Sequence, residues 1–175
     1  MGSLWGMGVR YLVALLAVVF SNFFLMVLYP LTFFAVTFLT SLFTSVRITG
    51  PQFGVGSFSF TFIDACVAVL AYVLLAVLLL TTSGLSFEQG LTLFFLGSFF
   101  LFLLNVLRIE FLIFVALMFG KNLFNTLHLF LWKLVSSVFV AGIWFFLVSY
   151  FAIEGIPVYS DWIFLYRKLH RRGSR

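Results

Sequence analysis

A thiol, a guanidinium and an imidazole stand out from a chain that is otherwise poor in reactive groups. Cys66 is the single cysteine among 175 residues, and His128 is one of two histidines. Arg108 sits between the apolar runs Phe99–Leu104 and Phe111–Phe119. A thiolate is a strong nucleophile, and an adjacent cation favours it. An imidazole within reach can take the thiol proton and later return it to a leaving amine. A guanidinium keeps its charge, so it can stabilise the oxyanion of a tetrahedral intermediate or orient a carbonyl. A low-dielectric membrane edge would strengthen these effects. Each residue also has a bland use. A lone cysteine packs as a small apolar side chain, and a histidine at a helix start serves as an interface residue. Arg108 is the hardest to assign to packing, because a charge between apolar runs is costly in a membrane and marks function. Glu110 is two positions away and so faces a different side of a helix.

The elements that would position these groups follow from composition. Hydrophobic residues make up 64% of the chain and charged residues 9%, with 27 phenylalanines; mean hydropathy is +1.24. A soluble domain carries about 25% charged residues, so the bilayer is the expected solvent. Net charge is +5. Arg167, Lys168, Arg171, Arg172 and Arg175 gather at the end of the chain; such a cluster reads as a cytoplasmic, positive-inside anchor rather than a nucleic-acid patch. One cysteine allows no internal disulfide. The apolar run after Arg10 is too long for a cleaved leader, and no small-residue cleavage site closes it early. Met1–Gly6 lacks the Ser or Thr of a myristoylation motif.

No charge occurs from Tyr11 to Val46. As one helix this would measure about 54 Å against roughly 30 Å of hydrocarbon, so Pro30 is expected to divide it. Arg10 to Tyr29 reads as a first span, and Leu31 to Ser45 as a shorter interfacial or re-entrant helix. Val46–Thr49 and Ser57–Phe62 alternate like strands around Gly50, Pro51, Gly54 and Gly56, which predicts a small β-hairpin on one water-facing side. Further spans are expected over Ala65–Thr82, Gln89–Leu107 and Leu127–Ile153, with a short segment over Phe111–Gly120. Trp162 and Tyr166 are expected interface anchors ahead of a basic cytoplasmic tail over residues 158–175. The expected fold is therefore one all-α integral membrane domain. It has about four transmembrane helices, short re-entrant or interfacial helices and a small extracytoplasmic hairpin. Four crossings put both termini in the cytoplasm and bring Cys66, Arg108 and His128 to one depth near the outer face.

These residues carry a resemblance. Ile63-Asp64-Ala65-Cys66, Leu104-Asn105-Val106-Leu107-Arg108-Ile109 and Phe124-Asn125-Thr126-Leu127-His128 resemble the archaeosortase/exosortase family. That family carries a transmembrane Cys, Arg and His in this order, with Ala-Cys at a helix start and Asn-x-x-Arg at a helix end. Tyr29-Pro30-Leu31-Thr32 is similar to the family's segment before its outer helix. The likeness covers roughly Tyr29 to Phe146, and the small core resembles the compact archaeal variants, including pacearchaeosortases. The family usually has Ser-Gly after the cysteine, where this chain has Val67-Ala68. The resemblance implies a membrane cysteine protease or transpeptidase that cleaves C-terminal sorting signals of exported proteins and passes them to an acceptor, a membrane lipid. It implies Cys66 as nucleophile, Arg108 as transition-state stabiliser and His128 as acid/base, with Asn105 holding Arg108. Asp64 reads as a helix N-cap or a modulator of the thiol. No cofactor, metal or nucleic acid is expected, since one cysteine and two distant histidines give too few zinc ligands. His170 lies among the cations of the tail. Two other readings are a non-enzymatic membrane scaffold or assembly factor, and a small transporter with Arg108 and Glu110 along its pathway. The chain shows no inverted repeat of the kind many transporters carry.

Overall fold

The computed structural model describes residues 4–132, 136–153 and 155–172. Helices dominate: α1 (Leu4–Val19), α2 (Ser21–Ser41), α3 (Asp64–Val67), α4 (Val69–Thr81), α5 (Phe87–Phe119), α6 (Lys121–Phe130), α7 (Ser136–Tyr150) and α8 (Tyr159–Arg172). Between α2 and α3 lies an antiparallel sheet of β1 (Val46–Thr49), β2 (Gln52–Val55) and β3 (Phe58–Thr61), in that order. Among the described helices, α2 and α5 are long and apolar enough to cross a membrane, while the apolar stretches of α1, α4 and α7 are shorter. Large apolar side chains such as Phe23, Phe34, Phe95 and Phe114 face outward along α2 and α5. Apolar surface of that extent needs a non-aqueous surround or a partner.

The first break falls at Phe20, and Pro30 lies inside α2; the expected division at Pro30 is thus corrected. Proline removes one backbone donor, a loss that helices tolerate where packing re-satisfies the freed carbonyl. The segment expected as two pieces around Arg108 is one helix of 33 residues, about 50 Å long. Ser86 and Gln89 start it with a reciprocal capping box. Arg108 does not end it, because its backbone bonds continue whatever its side chain carries. Glu110 turns the other way, to the Thr40 hydroxyl at 3.1 Å. The helix stops at Gly120, whose φ of 84° suits only glycine well.

The span expected over Ala65–Thr82 is interrupted at Ala68, leaving α3 as a separate turn. His128 belongs to the last turn of α6 rather than to the start of a long final helix. The continuity expected through Leu127–Ile153 falls partly on residues 133–135, outside the described ones. The tail is helical over α8, with Trp162 and Tyr166 exposed.

The hairpin is a three-stranded meander. Val46–Thr49 and the Phe58–Thr61 strand each pair with β2 instead of with each other. Of the glycines read as breakers, Gly50 and Gly56 make the turns at φ 60° and 59°, while Gly54 lies within β2. Phe53 and Val55 bury one face of β2 against Val36, Phe62, Val106 and Ile113. A second core of Tyr72, Leu75, Leu93, Leu101, Val140 and Leu147 joins α4, α5 and α7.

Two ends result, separated by α4, about 20 Å long. At one end Arg10 donates to both Asp161 oxygens, at 2.7 and 2.8 Å, and to the Thr82 carbonyl at 3.2 Å. This ties α1, the end of α4 and α8 together. At the other end lie the sheet, Cys66 and Arg108.

Gly97 sets the approach of α5 to its neighbours: an added Cβ would lie 2.7 Å from Leu75 Cδ2 and 3.1 Å from Leu147 Cδ1. Gly97→Val is expected to lower stability by about 1–3 kcal/mol, read as a lower midpoint of thermal unfolding in detergent. An unchanged midpoint would show that α4 and α7 do not pack on α5 as described.

Candidate active site

Three elements converge on one cavity of about 330 Å³ at the sheet end. Cys66 comes from α3, Arg108 from α5, and His128 with Asn125 from α6; Phe60 and Phe62 supply the sheet wall. The separation of these residues in sequence is thus closed by the fold.

The position of Cys66 follows from a backbone break. Ala68 lies in the left-handed region at φ 56°, ψ 38°, ending α3 and starting α4. This frees the Cys66 turn from the axis of α4. An L-residue with a Cβ is disfavoured in that region, whereas glycine is not. Ala68 is also the position at which the resembled family usually carries glycine. Cys66 is partly buried. Its carbonyl accepts from Asn105 Nδ2 at 2.9 Å, so Asn105 holds the cysteine's main chain, whereas the resemblance implied that it holds Arg108. Asn105 and Arg108 share a face of α5 at a three-residue spacing. Both are buried, with Arg108 9% exposed.

His128 is fixed by aromatic rings. Its imidazole stacks on Phe124 at 5.6 Å between ring centres. Phe124 meets Phe60 at 5.7 Å, and Phe60 stacks on Phe53 at 5.4 Å. This ladder runs from β2 and β3 to α6. Burial first, and the Arg108 charge second, hold the His128 imidazole below the ordinary histidine range. It is therefore neutral at pH 7 and able to accept a proton.

Asp64 is exposed and outside the cavity wall. Ile63 takes the N-cap position that Asp64 was expected to fill. Tyr29 donates from its hydroxyl to the carbonyl of Phe62, a residue of the cavity wall, at 3.0 Å. Asn125 was given no role from the sequence. Its signal was present: Asn125 and His128 stand three apart on an amphipathic helix and so share a face. The side chain of His170 lies outside the described residues.

The arrangement brings a thiol, a neutral imidazole, a buried guanidinium and the Asn125 amide to the wall of one cavity. Comparisons with family models, curated proteins and solved structures give no match.

Two predictions follow from this geometry. In a His170→Gln background, the NMR titration midpoint of His128 is expected below about 6.5 and should rise in Arg108→Gln; a midpoint at or above the ordinary value would contradict the buried site. Ala68→Gly is expected to raise stability by about 0.5–1 kcal/mol, as relief of left-handed strain exceeds the added freedom of the unfolded chain. A lower thermal midpoint for this variant would show that Ala68 is not left-handed.

Proposed function

We propose that this chain is a multi-pass membrane cysteine protease or transpeptidase of the archaeosortase/exosortase type. The observation that carries the reading is that Cys66, Arg108 and His128 line a single cavity. With Arg10 and the C-terminal cations held in the cytoplasm, the cavity opens at the extracytoplasmic rim. The sheet then lies in the aqueous or headgroup zone, where its edges can be solvated.

Catalysis begins when His128 takes the Cys66 thiol proton. The thiolate attacks the scissile carbonyl, and the oxyanion forms beside Arg108. Collapse of the tetrahedral intermediate breaks the C–N bond. His128 gives its proton to the leaving amine, and a thioester remains on Cys66. A nucleophile from water or from a lipid headgroup loses its proton to His128, attacks the thioester and releases the thiol. The substrate is the C-terminal sorting signal of an exported protein, and a lipid acceptor makes the reaction a transfer. Asn105 holds the Cys66 main chain during these steps.

The test is processing of a co-expressed exported protein bearing a C-terminal signal. Cys66→Ala, Arg108→Ala and His128→Ala are each expected to reduce processing by at least about 10²-fold while the protein still inserts, in line with loss of a nucleophile, an oxyanion donor or a base. Cys66 is also expected to react with an impermeant thiol reagent from outside, more slowly in His128→Ala. Processing that survives all three substitutions would end the enzyme reading.

A further inference from the structure

Beside the main cavity, on the inner side of Arg108, lies a second and much smaller one. Its volume is about 20 Å³, and a site for one water needs roughly 10–15 Å³. Tyr72 from α4 and Asn105 and Arg108 from α5 line it, with Ala68, Leu104 and Phe139 among the apolar walls. Tyr72 is 2% exposed and Asn105 7%. The Tyr72 hydroxyl and the Asn105 Oδ1 are both buried without a hydrogen-bond partner in the protein. Buried polar atoms are almost always satisfied, by protein or by ordered water. Two residues that each carry such an atom line one cavity of single-water size, which points to one shared ligand.

We propose that Tyr72 is a positioning residue that acts through one water bound between its hydroxyl and the Asn105 amide oxygen. The orientation of the amide is already fixed from the other side, because Asn105 Nδ2 donates to the Cys66 carbonyl. That leaves Oδ1 as an acceptor, and the water donates to it. The second water proton and the water oxygen remain for the Tyr72 hydroxyl, which both donates and accepts. The relay runs from α4 through the water to α5 and back to the Cys66 main chain. It fixes the turn that ends at Ala68 at both its flanks. Its use in catalysis rests on the reading of Cys66 as the nucleophile; its existence does not.

The test uses the full-length protein in lipid nanodiscs. A structure that resolves ordered waters is expected to show one water within hydrogen-bond distance of Tyr72 Oη and Asn105 Oδ1, lost in Tyr72→Phe. Hydrogen exchange of the Asn105 side-chain amide, followed by NMR, is expected to quicken about tenfold in Tyr72→Phe, as local opening becomes easier. Ser98→Ala removes another buried, unpartnered hydroxyl on α5 outside this cavity, and is expected to leave that exchange unchanged. A resolved cavity without the water, or equal exchange rates in wild type and Tyr72→Phe, overturns the relay. If the water is present and Cys66→Ala still processes substrate, the protease reading fails and the relay stands. If the water is absent and processing needs Cys66, the relay fails and the protease reading stands.

Discussion

The structure is organised around a guanidinium buried in an apolar helix. Removing a charge from water costs several kcal/mol even after local relaxation. Arg108 is held almost fully inside, between leucine- and phenylalanine-rich turns of α5. A fold can sustain this only by surrounding the head group with polar atoms and a wet or polar cavity. Polar residues accompany it: Ser59, Thr61, Cys66, Asn125 and His128 share the cavity wall with Arg108, and Asn105 lines the smaller cavity with it. A cation fixed in low dielectric acts strongly on any negative charge that comes near it.

Two supports keep these groups in register. One is the Asn105–Cys66 bond, which ties the α3 turn to α5. The other is the ladder Phe53–Phe60–Phe124–His128, which lets the small sheet set the imidazole. Aromatic pairs favour a limited set of ring geometries, so the ladder transmits position as well as area. The sheet is therefore more than a cap. Its buried face packs on α2 and α5, and its edge forms the wall of the cavity. The opposite end of the molecule is closed by different means, a bidentate Arg10–Asp161 pair that also reaches the Thr82 carbonyl.

Several features were legible in the residues alone. Helical, apolar character follows from a chain with 9% charged residues, since such a chain cannot clothe a water-facing surface. Strands around Gly50 and Gly56 follow from alternation and from glycines at turns. Counting four crossings predicts that Cys66, Arg108 and His128 meet; they line one cavity, but α5 runs unbroken past Arg108 and His128 ends a short helix, so the count does not explain the grouping. Asn125 could have been found by its spacing from His128 on an amphipathic helix. Charge and proline were the misleading signals. Pro30 suggests a divider and Arg108 a helix end, yet both lie within continuous helices, because local preference is worth less than the packing of a long apolar element.

What the sequence determined by itself is therefore the apolar character of the chain, the kinds of element and the few polar residues set among them. These depend on composition and on periodicities of a few residues, which are local properties. What only the tertiary structure decided is which polar atoms meet. The αL turn at Ala68, the choice of the Cys66 carbonyl as partner of Asn105, and the shared small cavity of Tyr72 and Asn105 all arise between segments far apart in the chain. No local pattern encodes them, because each is fixed by the packing of α3, α4, α5 and the sheet against one another.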